Sequence, residues 1–191
     1  MTTAIDTRRT IVTGSLADVA RQTKRSLAET FIGADAVVLV DTSGSMNTAD
    51  SRGGHKRYEV ACEELAALQA KLPGKLAVLS FSDQPMFCPA GKPYYQGAGT
   101  DMAAALKFAK VADVPGIQFI LISDGEPDAP AETLKQARMY TSKIDTIYVG
   151  SEVAPTGRDF LAELAAASGG QSVTAHTATD LMPAMQKLLT A

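Results

Sequence analysis

Tryptophan is absent from this 191-residue chain, and cysteine and histidine occur only twice each. Two cysteines cannot form a disulfide framework. Cys62 falls in a helical pattern and Cys88 in a proline-flanked segment, so both read as reduced thiols of a cytoplasmic protein. The two histidines exclude more than they offer. His55 sits in a polar loop and His176 follows the last apolar run, so neither can serve a nearby serine as a base, and the nucleophile elbow G-x-S-x-G does not occur. Positive charge is not in excess either: 18 Lys and Arg face 21 Asp and Glu, for a net charge of −3, which argues against nucleic acid as a partner. No apolar run reaches membrane-spanning length. The opening stretch "MTTAIDTRRTIVTGSLADVARQ" carries Asp6 and Asp18 and lacks the apolar core of a secretory signal, and no apolar stretch follows Arg8-Arg9 as a twin-arginine signal requires. "GAGTDM" (97–102) does not follow the first strand, so it is no dinucleotide fingerprint. "GKP" (91–93) lacks the spacing of a phosphate loop.

What is present is apolar and regularly spaced. Hydrophobic residues make up 46% of the chain, enough for a sizeable core. "DAVVLV" (35–40), "LAVLSF" (76–81), "IQFILIS" (117–123) and "IDTIYV" (144–149) are nearly continuous, as strands buried on both faces should be, and "QSVTA" (171–175) is a weaker fifth run. Helical patterns alternate with them. One carries Tyr58, Ala61, Cys62, Leu65, Leu68 and Leu72 on a single face and stops at Pro73-Gly74. Others are marked by Met102, Leu106 and Ala109; by Leu134, Ala137 and Thr141 after Pro127 and Pro130; by Phe160, Leu161, Leu164 and Ala165; and by Leu181, Met185 and Leu188. Such alternation predicts an α/β fold with a mainly parallel sheet covered on both faces. The proline- and glycine-rich segment 82–99 breaks the rhythm and reads as a short edge strand with loops. Residues 1–33 read as an N-terminal extension ahead of a domain spanning 34–191. Within the extension, Leu16, Val19, Ala20, Thr23, Leu27 and Phe31 predict one helix over 15–31, opened by Ser15 and Asp18. Its stripe would pack on the domain or dock on another protein.

The chemistry lies where strands end. In an open parallel sheet, sites form at the carboxyl ends of the strands. Asp41 opens "DTSGSM" directly after the first run, and Asp124 opens "DGEPD" after the third. Thr100 comes from the glycine-rich "GAGTDM" between them. If the two strands are neighbours, Asp41, Ser43, Ser45, Thr100 and Asp124 can converge. Gly44 permits the turn that aims both serines at one point. Such a set is hard oxygen throughout, so it suits Mg2+ or Mn2+, with Ca2+ behind them, and not zinc or copper. Two carboxylates balance a divalent charge, and the three neutral hydroxyls leave the ion electrophilic. D-x-S-x-S alone is a common pattern. Its place after a buried strand, with Thr100 and Asp124 at later loops, makes it specific.

These three motifs, "DTSGSM", "GAGTD" and "SDGEPD", resemble the metal-ion-dependent adhesion site (MIDAS) of von Willebrand factor type A (vWA) domains, over about residues 34–190. The resemblance implies a three-layer, doubly wound, Rossmann-like sheet in the order 3-2-1-4-5-6, mainly parallel with one antiparallel edge strand. It assigns Asp41, Ser43 and Ser45 to the first motif, Thr100 to the second and Asp124 to the third, with all five positions matched. It also implies a protein-binding module whose metal accepts an Asp or Glu from the partner. The long charged loop 47–57 extends the pattern and would rim the metal. Glu126 and Asp128, next to Asp124, could support the metal ligands but read first as exposed turn residues, and Asp101 reads as a group favouring a helix start.

The rival reading is a metal-dependent phosphotransferase or hydrolase of the haloacid dehalogenase type, with Asp41 as nucleophile. It needs a second aspartate two positions on, and Ser43 stands there. The sequence therefore points to a cytoplasmic, non-enzymatic binding domain. It leaves the partner and the oligomeric state open.

Overall fold

The computed structural model describes residues 11–50, 54–125, 127–149 and 156–174. Six strands form one sheet: β1 (Ala36–Asp41), β2 (Leu76–Phe81), β3 (Met86–Phe87), β4 (Gln118–Ser123), β5 (Ile144–Tyr148) and β6 (Ser172–Thr174). Their order is β3-β2-β1-β4-β5-β6. Every pair is parallel except β2 with β3, so the short strand in the 82–99 segment is the antiparallel edge.

β1 is central, and in register Val38 lies between Val78 and Ile120. All residues of β1 and β2 are buried, because both faces of the sheet are covered. Val37, Leu39, Leu79, Phe119 and Leu121 face one core, packed with Leu16, Leu106, Leu134, Leu161 and Leu164. Val38, Val40, Val78, Ile120, Ile122 and Ile147 face the other, packed with Leu65, Leu68 and Met46. This two-sided burial is the reason for the unbroken apolar runs.

The covering helices are α3 (Arg57–Lys71), α4 (Met102–Ala109), α5 (Pro130–Arg138) and α6 (Thr156–Ser168). Pro130 occupies the first turn of α5, where its missing N–H costs nothing, and the helix ends before Thr141. Asp101 caps α4 by accepting from the Ala104 N–H at 2.8 Å. The helix expected around Leu181, Met185 and Leu188 lies outside the described residues.

The N-terminal segment corrects the sequence expectation. In place of one helix there are two, α1 (Leu16–Thr23) and α2 (Leu27–Ile32). Lys24 ends α1 in the left-handed region with φ 56°, and Ser26 restarts the helix through a capping box with Glu29. At the start of α1, Ser15 accepts from the Asp18 N–H. The Asp18 carboxylate then reaches past Ser15 to the Gly14 N–H at 2.9 Å. The break divides the apolar stripe. Leu16 and Ala20 are buried and Val19 is half-buried, but Thr23 is exposed and Leu27 is 42% exposed. Leu27 instead lines an apolar groove of about 440 Å³ with Phe31, Ile32, Phe108 and Val111. Backbone bonds from Val12 to Ala90 and from Ala17 to Pro89, both 2.9 Å, hold the start of the segment to the loop after β3. Gly14 is required there: its φ is +79°, and an added Cβ would sit 2.0 Å from the Gln69 carbonyl oxygen.

Candidate metal centre

β1 and β4 are hydrogen-bonded neighbours, so Asp41 and Asp124 emerge side by side at the carboxyl edge of the sheet. The chain reverses out of β1 through a 3-10 turn, Gly44–Asn47. The Asp41 carboxylate anchors that turn by accepting the Ser43 N–H at 2.8 Å. The serine hydroxyls then lie 3.1 Å apart, and Ser45 Oγ donates to Asp124 Oδ1 at 2.8 Å. Asp41, Ser43, Ser45 and Asp124 thus form one continuous chain of contacts.

Thr100 reaches this edge by its backbone. Gly44 donates to the Ala98 carbonyl at 3.0 Å and Gly97 to the Thr42 carbonyl at 2.9 Å, which docks the glycine-rich loop on the β1 turn. Asp128 holds Thr100 from the other side: its carboxylate accepts the Thr100 N–H at 2.9 Å, and its own N–H donates to the Thr100 carbonyl at 3.0 Å. Ser82 and Asp83 complete the cradle, Ser82 Oγ donating to the Gly99 carbonyl and Asp83 accepting from the Gly99 N–H, each at 2.8 Å. Thr100 is nearly buried among these contacts, and no bond from its hydroxyl ties it to the other four.

Two partners of the carboxylates, Ser123 and Arg57, went unread in the sequence. Ser123 donates to Asp41 Oδ2 at 2.6 Å, so both oxygens of Asp41 are engaged. Arg57, the first residue of α3, donates from Nη1 to Asp124 Oδ2 at 2.6 Å. Its Nε and Nη2 grip Asp50 at 2.8 and 2.5 Å. Asp128 is exposed, as a turn residue should be, yet it fixes Thr100. Glu126 lies outside the described residues. The signals were faint: Ser123 closes an apolar run, and Arg57 and Asp50 belong to the charged loop 47–57, which reads as rimming the metal but singles out none of its charges.

The electrostatics follow from burial. Asp41 has no exposed surface. Removal from water pushes its carboxyl up to about 6, against the opposing hydrogen bonds from Ser123 and Ser43, and the neighbouring Asp124 charge adds to the rise. Asp124 is also enclosed, its side chain 0% exposed, but it carries the Arg57 ion pair. Two buried carboxylates against one guanidinium leave the floor of the site short of positive charge.

The donor set fits a hard divalent cation. Oxygens at right angles around Mg2+, each about 2.0–2.1 Å from the ion, lie about 3 Å from one another. The Ser43–Ser45 and Ser45–Asp124 oxygen separations, 3.1 and 2.8 Å, are of that size. No group of three or more His, Cys, Asp or Glu side chains gathers among the described residues, so a cation here would rest on hydroxyls as much as on carboxylates.

No protein-family model and no curated protein matches the chain. Solved structures do. An aerotolerance-related membrane protein of Bacteroides fragilis, carrying multiple mutations to serine, superposes with a TM-score of 0.64 at 16% identity, covering 83% of this chain and 99% of that one. A von Willebrand factor type A protein of Catenulispora acidiphila gives 0.63 at 18% identity, covering 81% of this chain and 41% of that one. Manganese-loaded TRAP protein of Plasmodium vivax gives 0.53 at 15% identity, covering 82% and 73%. Together with the strand order β3-β2-β1-β4-β5-β6 and its single antiparallel pair, these likenesses give the chain the fold of a von Willebrand factor type A domain.

Proposed function

We propose that this domain binds a divalent cation, Mg2+ or Mn2+ ahead of Ca2+, through Asp41, Ser43, Ser45, Thr100 and Asp124, and uses it to recognise another protein. The contact chain from Asp41 through both serines to Asp124 carries this reading, because Asp41 anchors the turn by the Ser43 N–H and the oxygens of Ser43, Ser45 and Asp124, from the ends of two strands, stand at cation-sized spacing. The fold supports it, and so does the manganese carried by one similarly folded protein. The cation supplies a positive centre with room for one more hard anion, and an Asp or Glu of the partner protein is the group that fills it. This chain's residues do the rest. Asp41, bonded to Ser43 and Ser123, fixes the turn. Asp128, Ser82 and Asp83 hold the Thr100 loop in place. Asp50, Ser82, Asp83 and residues 97–99 stand beside the site, and the loops that carry them would set which partner fits.

The reading is one of binding and not catalysis. Both oxygens of Asp41 are engaged and the residue is fully buried, which leaves it poorly placed to attack a phosphate or acyl group. No helix among the described residues is long and apolar enough to cross a membrane. The two free cysteines, one of them buried, suit a reducing cytoplasm. The test is a pull-down from the native host, with chelator or with Mg2+, using wild type and Ser43→Ala. Capture should require the metal and be lost in the variant. Capture that ignores both would place the interface elsewhere.

A further inference from the structure

Arg57 is not among the residues that the MIDAS resemblance assigns, yet it reaches the centre of the site. Its guanidinium is committed on three of its N–H groups. Nη1 meets Asp124 Oδ2, while Nε and Nη2 form a two-pronged bond to Asp50. Its backbone N–H donates to the Thr48 carbonyl at 3.2 Å, which ties the start of α3 to the segment after the β1 turn. The side chain is only 11% exposed. Arg57 and Ser45 divide the Asp124 carboxylate between them: Oδ1 faces the serines and Oδ2 faces the guanidinium. A cation lodged among the hydroxyl oxygens would use Oδ1 and need not displace Arg57.

We infer that Arg57 tunes the affinity of this site for a divalent cation, holding Asp124 by one oxygen while its charge weakens cation binding. The inference rests on the metal-binding reading above. Two effects of Arg57 oppose each other. By fixing Asp124, it spares the carboxylate an entropic cost and favours cation binding. By placing a permanent positive charge beside the same carboxylate, it repels the cation. The charge effect is the larger one. It acts over a few ångströms between two well-covered side chains, Arg57 at 11% and Asp124 at 0% exposed, so solvent screens it little even though Ser45 beside them is exposed. The fixing effect concerns the torsions of one short side chain, which Ser45 also restrains. Asp50 moderates the charge through its two bonds to the guanidinium, and its side chain is 44% exposed, so the moderation is partial. A site tuned in this way holds its ion loosely, and the loaded site keeps positive charge available to an anionic partner group.

The test is calorimetric titration of Mn2+ into the full chain. Arg57→Met keeps the reach of the side chain and removes the charge, and should bind Mn2+ about tenfold more tightly than wild type or better. Arg57→Lys keeps the charge without the fork and should stay within about threefold of wild type. Asp50→Asn leaves Arg57 less compensated and should bind Mn2+ a few-fold more weakly. As this residue is part exposed, its replacement does not put folding at risk. The Mn2+-induced rise in melting temperature should also be larger in Arg57→Met than in wild type, because Asp124 is unpaired in that variant until the ion arrives. Equal or weaker Mn2+ binding by Arg57→Met, or unchanged or tighter binding by Asp50→Asn, would overturn the inference while leaving the metal site in place. Absence of Mn2+ binding in wild type and all three variants would remove the metal reading and this inference together.

Discussion

Ser123 donates a 2.6 Å hydrogen bond to Asp41 across 82 residues of sequence, joining the ends of the two strands that carry the site's carboxylates. The bond offsets part of the cost of burying Asp41. Ser123→Ala should lower unfolding free energy by about 1–2 kcal/mol at neutral pH, as expected when a buried charged acceptor loses one donor. It should also weaken cation binding. Urea unfolding and a metal titration of the same variant would check both, and an unchanged unfolding curve would show that the bond contributes nothing.

The carboxyl of Asp41 sits at about 6, raised by burial, so protons compete with a cation for it below that pH. Mg2+ or Mn2+ affinity should be nearly flat above pH 7 and fall by about tenfold per pH unit below pH 6, as one proton is displaced for each ion bound. In chelator the same group acts in the other direction. Its folded value lies above its unfolded value, so its stabilising contribution is complete below about pH 4 and lost as pH rises through 6. The loss is about 3 kcal/mol and should be absent in Asp41→Asn. Titrations at several pH values, with parallel melts in chelator, read both effects.

Asp113 is the opposite case. Burial alone would raise its carboxyl, but Lys110, the N–H of Thr141 at 2.7 Å and the N–H of Ser142 at 2.9 Å hold it well below the usual carboxylate range. Its stabilisation is present above pH 4 and is lost as pH falls further. Asp113→Asn should cost about 2–3 kcal/mol at pH 7, with a gap to wild type that narrows in acid. Unfolding at pH 7 and pH 3 would reveal a gap that fails to narrow.

The two leucines of the N-terminal segment should behave differently. Leu16 is buried in the core, and Leu16→Ala should cost about 2–4 kcal/mol. Leu27 lies on the open groove, and Leu27→Ala should cost under about 1 kcal/mol. Deleting residues 1–32 should then destabilise the domain at least as much as Leu16→Ala does. Denaturant midpoints would rank the three.

These contrasts show what the sequence made legible. β1, β2 and β4 could be read because both of their faces are buried, which leaves unbroken apolar runs such as Ala36–Val40. The meeting of Asp41, Ser43, Ser45 and Asp124 could be read because Asp41 and Asp124 each follow such a run, and once those strands pair, their positions follow. Long-range polar partners left no comparable trace. Arg57 lies 67 residues from Asp124, in a loop whose charges suit solvent equally well. Ser123 reads as the last residue of its strand until the neighbour of β4 is known. The break in the N-terminal helix was local and was still missed. Its signal, Ser26 followed three residues later by Glu29, lies inside an apolar periodicity that continues across it from Leu16 to Phe31.

The central claim is that Asp41, Ser43, Ser45, Thr100 and Asp124 hold a divalent cation. Ser45 is the link between the two strands, touching both Ser43 and Asp124. The most direct test is calorimetric titration of Mn2+ into wild type and Ser45→Ala at pH 7.5, with circular dichroism confirming that both are folded. The account predicts one ion per wild-type chain, bound with modest affinity because three of the five ligands are neutral hydroxyls, and at least about a tenfold loss in the variant. No binding to folded wild type at millimolar Mn2+, or equal binding by Ser45→Ala, would contradict it.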